Sequence, residues 1–165
     1  MGTLIGHVAP GIAFLAFGLW QLFQHTKLHA LDPAAYRSRP WFHRLELYLI
    51  MAAAAASVAM ELFIGPDRHQ PLDPDGTIPA NHLHNFEHAA ISSTFFAFAA
   101  LSLAIHRLRL PPALSQLLAS AAFAQQLFLF HLHSAYHAGP EGQYHALLQI
   151  LVAVSLLTTL LGLPL

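Results

Sequence analysis

Two histidine clusters are the residues of this sequence that point most directly to chemistry. The segments "HLHNFEH" at 82–88 and "HLHSAYH" at 131–137 share the spacing His-x-His-x-x-x-His. In each segment the last two histidines are four residues apart, so on a helix they share one face. Neutral imidazole is a common metal ligand, and two imidazoles at this spacing bind zinc in HExxH helices. The clusters therefore predict a transition-metal site.

The composition indicates the environment in which such a site would lie. Of 165 residues, 56% are hydrophobic and only 9% are charged, whereas soluble domains carry about 25% charged residues. The mean hydropathy is +0.52. A net charge of -1 without a basic stripe gives no case for nucleic acid as a partner. The absence of cysteine excludes disulfides, thiolate metal sites and iron–sulfur clusters. These features are typical of an integral membrane protein whose main partner is the lipid bilayer.

The elements that must position the histidines are apolar segments of about 20 residues, the length needed to cross the hydrocarbon core as a helix. Most of the prolines fall between these segments or at their edges, where helix breakers belong. We therefore expect an all-α fold, with residues 1–165 forming a single transmembrane bundle. The five predicted helices cover about 3–24, 45–64, 80–106, 112–138 and 142–163.

The distribution of Lys and Arg predicts the orientation of the helices. Cytoplasmic connections are enriched in these residues, so the 1–2 and 3–4 connections are expected in the cytoplasm and the N-terminus on the non-cytoplasmic side. The basic residues of these two connections are Lys27, Arg37, Arg39, Arg44, Arg107 and Arg109.

This orientation places ionisable residues of all five helices in the outer, non-cytoplasmic leaflet. Charged and ionisable residues inside membrane helices are costly and are functional candidates by default. Nitrogen and carboxylate ligands suit zinc, iron, copper or manganese. Glu61 offers an oxygen ligand, a hydrogen-bond partner for a ligating imidazole, or a catalytic general base. His131 and His133 point about 200° apart on a regular helix, so both reach one site only if the helix is distorted. The predicted metal ligands are His7, Glu61, His84, His88, His131, His133 and His145.

Four motifs resemble the transmembrane protein 45 family, most closely its green-plant and algal branch. They are "GHVAPGIAFLAFGLW" at 6–20, "AMELFIGPDRH" at 59–69, "NHLHNFEH" at 81–88 and "FLFHLHSAYHAGPEGQYHALLQ" at 128–149. Together they extend over essentially the whole chain. The resemblance implies family positions at His7, Glu61, His88, His131, His133 and His145.

The resemblance also carries expectations about the protein as a whole. It implies an endomembrane or plasma-membrane protein, associated in plants with stress and pathogen responses, and no established reaction. Family members have about seven helices, so this chain, with five, is expected to be truncated, divergent or only partly represented. Animal members lack counterparts of His82 and His137, and we expect both at the aqueous rim rather than among the ligands.

Three classes of function are compatible with a layer of histidines and a glutamate. The first is a metal-dependent membrane enzyme that activates water or oxygen, with Glu61 as general base and His88, His131 and His145 as ligands. The second is an accessory subunit of a larger membrane complex or homo-oligomer, which either is structural or holds a metal ion, or haem b between histidines of helices 3 and 4. The third is a proton or metal-ion transporter, whose path would continue through a few polar residues. These are Gln21, Ser102, Gln125, Gln126 and Gln149.

Overall fold

The computed structural model describes residues 4–33, 40–64, 71–135 and 137–163, with only the backbone described at 4–10, 13, 14 and 40–43. All regular structure in these residues is helical, which confirms the predicted all-α fold class. The α-helices are α1 (Leu4–Leu31), α2 (Pro40–Ala59), α3 (Leu83–Leu108), α4 (Ala113–Ser134) and α5 (Gly139–Leu161). A π-helical turn, Met60–Ile64, continues α2, and a 3-10 turn, Ala80–His82, precedes α3.

Four helical segments among the described residues are long and apolar enough to cross a membrane. They cover Arg44–Ile64, Ala80–Leu108, Ala113–Ser134 and Gly139–Leu161. Their outer surfaces carry large apolar side chains; on α5, for example, Leu147, Ile150 and Leu151 are each at least 60% exposed. Such a surface is stable against hydrocarbon and not against water, so the predicted polytopic membrane protein is supported.

The chain divides into two compact units, Met1–His43 and Arg44–Leu165. The first contains α1, which continues to Leu31, seven residues beyond its predicted end at 24. Lys27, which was expected in the following connection, therefore lies within the helix. The union of all five helices in one bundle, and the passage of α1 through the membrane, stay predictions.

In the second unit, α3, α4 and α5 follow one another as antiparallel neighbours. Arg109 ends α3 in a left-handed conformation, with φ 54°, and the Leu110 N–H donates to the Ile105 carbonyl over 3.0 Å. Pro112 then precedes α4. Proline lacks a backbone N–H, but the first N–H groups of a helix have no acceptor within the helix, so no hydrogen bond is lost here. As a result, the first turn of α3, the last turn of α4 and the first turn of α5 lie at one end of the unit.

Helix α2 packs against α3 through a small apolar core and one polar contact. Leu47, Ala99 and Leu103 are buried together. Further along the pair, the hydroxyls of Ser57 and Ser92 are 2.8 Å apart. The π-helical end of α2 is thereby placed beside the start of α3.

Helix α4 ends at Ser134, four residues before the predicted 138, and α5 begins with the pair Gly139–Pro140. Proline disfavours helical backbone in the residue before it, and Gly139 has a φ of +64° that favours glycine. The chain must therefore leave α4 before this pair. His137, which was predicted to share a helical face with His133, lies in the α4–α5 connection.

Candidate metal centre

Histidine side chains from α3, α4, α5 and the α4–α5 connection meet at one end of the second unit. His133 lies in their middle, with its ring centroid 4.8 Å from that of His137, 5.2 Å from that of His145 and 5.0 Å from that of His84. The His137 and His145 rings stack, with centroids 4.4 Å apart and planes 8° apart. We call His84, Glu87, His133, His137 and His145 the imidazole cluster.

Three of these residues form the first ligand set: His133, His137 and His145. Each offers one ligand atom, and these atoms all lie within 4.8 Å of one another. The Nε2 atoms of His133 and His137 are 3.1 Å apart. With zinc–nitrogen bonds of about 2.0–2.1 Å, two ligands of a tetrahedral ion are roughly 3.3–3.4 Å apart. The first ligand set is therefore spaced to bind one ion.

Hydrogen bonds at the other ring nitrogens orient these imidazoles. The Nδ1–H of His133 donates to Glu87 Oε2 over 2.7 Å. The Nδ1–H of His145 donates to the Glu141 carbonyl oxygen over 2.8 Å. Since a carboxylate and a carbonyl oxygen only accept, Nδ1 carries the proton in both rings and Nε2 keeps a lone pair. Ligating histidines are commonly fixed in this way by a carboxylate or a backbone carbonyl.

The burial of the first ligand set differs from one side to the other. The side chain of His133 is 8% exposed, and that of His137 is 19% exposed. On the outer side, the Glu141 carboxylate is 68% exposed and lies 3.4 Å from His137 Nδ1. The set is therefore enclosed at α4 and reachable from the surface at the start of α5.

A second ligand set shares His133 with the first. It consists of His84, Glu87 and His133, whose ligand atoms also lie within 4.8 Å of one another. Glu87 Oε2 is 3.3 Å from His84 Nδ1 and 2.7 Å from His133 Nδ1. Glu87 was not among the predicted ligands. Its signal was present in the sequence: a carboxylate within a predicted membrane helix, three residues after His84.

Glu61 and His88 form a separate pair beside the cluster. Glu61 lies in the π-helical turn, a distortion that occurs frequently at functional sites. Asn85 Nδ2–H donates to Glu61 Oε2 over 2.8 Å, and His88 Nδ1–H donates to Glu61 Oε1 over 3.2 Å. The His88 ring centroid is 5.2 Å from that of His133. In this arrangement Glu61 orients an imidazole, one of the roles that the sequence left open for it.

The remaining predicted ligands lie elsewhere. His131 is exposed, with Nδ1 3.4 Å from Gln149 Oε1, and the regular helix turns it away from His133. The side chain of His7 lies outside the described residues, and its role as a ligand stays a prediction.

Two histidines that were expected at the aqueous rim are largely covered by protein. His137 is half-buried in the first ligand set, because the early end of α4 lets the connection fold towards α5. His82 is 8% exposed. The backbone N–H of His82 donates to the Pro79 carbonyl over 2.9 Å. This 3-10 turn directs the His82 side chain into the protein.

Residues 112–165 match the sequence model of a family described as "Family of unknown function (DUF716)". This part of the chain contains α4 and α5, and with them the whole first ligand set. No solved structure matches the chain. The match associates the carboxy-terminal helices with an uncharacterised family, and the transmembrane protein 45 identification stays a prediction.

Proposed function

We propose that this helical membrane protein binds a transition-metal ion through His133, His137 and His145, with Glu87 orienting His133. One observation carries the proposal: the Nε2 atoms of His133 and His137 lie 3.1 Å apart, while the Nδ1 of His133 is bonded to a carboxylate. At this distance the two Nε2 atoms share either a proton, in a hydrogen bond, or a metal ion. The nearby third imidazole favours the metal ion.

The charges around the cluster support a bound cation. Three carboxylates, those of Glu61, Glu87 and Glu141, lie in or beside it. The Lys and Arg residues that the structure describes in the second unit are placed at the other end of α2 and α3; they are Arg44, Arg107 and Arg109. Carboxylates near hydrocarbon require a positive partner, which a divalent ion supplies.

The donor atoms favour particular ions. Imidazole nitrogen suits zinc, copper and iron, and the chain has no thiolate that would select otherwise. Haem b is less compatible with this geometry, because two axial histidines lie on opposite faces of a porphyrin. The His84 and His133 rings, on α3 and α4, instead contact each other, with centroids 5.0 Å apart.

Elemental analysis of the protein purified in detergent tests the proposal. We expect at least one zinc, copper or iron ion per chain, and loss of this ion in His145→Ala. The matched control is Tyr144→Ala, the next residue on α5 and 65% exposed, which should keep its metal. Metal-free wild-type protein that also takes up none of these ions on titration would contradict the proposal.

A metal-dependent enzyme is the second candidate, and the number of ligands supports it. Three protein ligands leave a tetrahedral ion one position for water, which is the pattern of catalytic zinc sites, whereas structural sites have four protein ligands. Glu61 or the Glu61–His88 pair would then serve as the base. Cobalt(II)-substituted protein tests for the open position: its visible spectrum should change when azide is added. An unchanged spectrum would indicate a closed site and favour a metal-holding subunit.

The finer predictions about identity and location belong to the same proposal. These are membership of the transmembrane protein 45 family, an endomembrane or plasma-membrane location, and a non-cytoplasmic N-terminus. On this topology the start of α5, and the imidazole cluster with it, faces away from the cytoplasm. An epitope tag after Pro74, in the 2–3 connection, should be accessible from outside intact cells or from the lumen of intact vesicles. A tag that becomes accessible to a probe on that side only after the membrane is permeabilised would indicate the opposite topology.

A further inference from the structure

The second ligand set is a candidate site for a second metal ion. We propose that His84, Glu87 and His133 bind a second divalent ion, and that His133 bridges the two ions through its two ring nitrogens. This inference rests on the proposed function, because the first ion occupies the Nε2 side of His133.

The geometry of the second ligand set resembles that of the first. One carboxylate oxygen, Glu87 Oε2, faces imidazole nitrogens from two helices, at 3.3 Å from His84 Nδ1 and 2.7 Å from His133 Nδ1. The first distance matches the roughly 3.3–3.4 Å expected between ligands of a tetrahedral ion, and the second is a hydrogen bond that would lengthen when an ion replaces its proton. The His84 and His133 rings meet edge to face, at 88°. Such an arrangement brings the nitrogens together without stacking the rings.

His133 is placed to serve both sets because they lie on opposite sides of its ring. Its Nε2 faces His137 and its Nδ1 faces Glu87. With metal–nitrogen bonds of about 2.0 Å on both sides, the two ions would be roughly 6 Å apart. When the second ion binds, the Nδ1 proton of His133 passes to water, and a metal–nitrogen bond replaces the N–H bond. Glu87 Oε2, which accepted that proton in a hydrogen bond, then binds the ion.

The formal charges of the site balance with two ions. Two divalent ions bring four positive charges. The carboxylates of Glu61, Glu87 and Glu141 carry three negative charges, and a bridging His133 imidazolate carries the fourth. With one ion and a neutral His133, one negative charge is left over. The side chains of Glu61 and Glu87 are 28% and 20% exposed, and cations beside such partly buried carboxylates offset part of their desolvation cost.

Copper(II) added to the metal-free protein in detergent tests the bridge. We expect two copper ions per chain, with an integrated electron paramagnetic resonance signal well below that of two independent spins, because an imidazolate bridge couples them. His84→Phe retains a ring of similar size but has no ligand atom, and its side chain is 54% exposed in the wild type. This variant should bind one copper ion with the full signal of one spin. The control is His106→Phe, in the last turn of α3, which should bind two coupled ions. If His84→Phe does not fold, His84→Gln should give the one-ion result.

Several results would overturn the inference and leave the proposed function standing. One is a single copper ion in the wild type. Another is two copper ions with the full signal of two spins, and a third is two coupled ions in a folded His84 variant. Failure of the wild-type protein to bind any copper, zinc or iron would instead overturn the proposed function as well.

Discussion

Glu87 Oε2 and His133 Nδ1 lie 2.7 Å apart, and this hydrogen bond links the two histidine segments of the sequence. It connects α3 with α4 and turns the Nε2 of His133 towards His137 and His145. A similar carboxylate–imidazole contact, between Glu61 and His88, connects the end of α2 with α3. Both contacts restrain imidazoles before any ion binds, and such restraint reduces the cost of ordering the ligands.

Replacing Glu87 tests the importance of this restraint. In Glu87→Gln the amide oxygen can still accept from His133 Nδ1–H, but its charge is lost. Mutation of the hydrogen-bond partner of a ligating histidine typically lowers metal affinity by about 10–100-fold. Competition with a chromophoric zinc chelator should therefore show weaker binding in this variant, and unchanged binding in Asp75→Asn, which alters a carboxylate in the 2–3 connection. Equal affinities in Glu87→Gln and the wild type would show that Glu87 does not support the site.

Gly142 allows His137 to approach α5. A Cβ atom at this position would lie 2.8 Å from the His137 carbonyl oxygen, so Gly142→Ala must displace the backbone of a ligand. We expect a destabilisation of about 1–3 kcal/mol, as for other overpacking substitutions, and at least a tenfold loss in zinc affinity. Thermal unfolding and the same chelator competition measure the two effects.

Gly18→Ala is the control for this substitution. A Cβ atom at Gly18 meets nothing within 4 Å, and alanine is the better helix former by about 0.5–1 kcal/mol. This variant should keep its zinc affinity and its stability. Unchanged zinc affinity in Gly142→Ala would contradict the placement of His137 in the first ligand set.

Glu61→Ala tests whether Glu61 only accepts hydrogen bonds from its neighbours or is itself a metal ligand. The substitution leaves Asn85 Nδ2 and His88 Nδ1 without the acceptor that they share. An unsatisfied buried donor costs about 1–3 kcal/mol, and these part-buried groups should lie at the lower end of that range. We expect a lower melting temperature with the bound ion retained. Metal loss as complete as in His145→Ala would show that Glu61 is itself a ligand.

Much of the fold could be predicted from hydropathy, because a membrane sets the length of the helices that cross it. The segment predicted at 80–106 closely matches α3 with its 3-10 turn, and the segment predicted at 45–64 ends with the π-helical turn of α2 but begins after Pro40, where α2 starts. The end of α4 was misplaced by four residues. Hydropathy indicates an apolar segment but not the residue at which α4 ends.

The site was predictable as a layer of histidines but not as a set of ligands. The angle of about 200° between His131 and His133 showed that a regular helix could present only one of them, without indicating which. His137 lies beyond the helix, where spacing no longer predicts direction. The prediction of Glu87 would have required a different rule. Any carboxylate within a membrane helix is a candidate ligand, and not only a carboxylate that shares a helical face with histidines.

Metal affinity should depend steeply on pH. Imidazoles must be neutral to bind an ion, so protons compete with the metal. Lowering the pH from 7.5 to 5.5 should therefore markedly reduce the zinc affinity of a three-histidine site. Equilibrium dialysis against buffered zinc measures the change. A pH-independent affinity would exclude imidazoles as the main ligands.

A comparison of His133→Ala with His131→Ala tests whether metal binding depends on His133. Both histidines lie at the end of α4, two residues apart, but only His133 belongs to the two ligand sets. The two variants, purified side by side and analysed for bound zinc, copper and iron, should differ completely. We predict wild-type metal content in His131→Ala and none in His133→Ala. Wild-type metal content in His133→Ala, or loss of the ion in His131→Ala, would contradict the account.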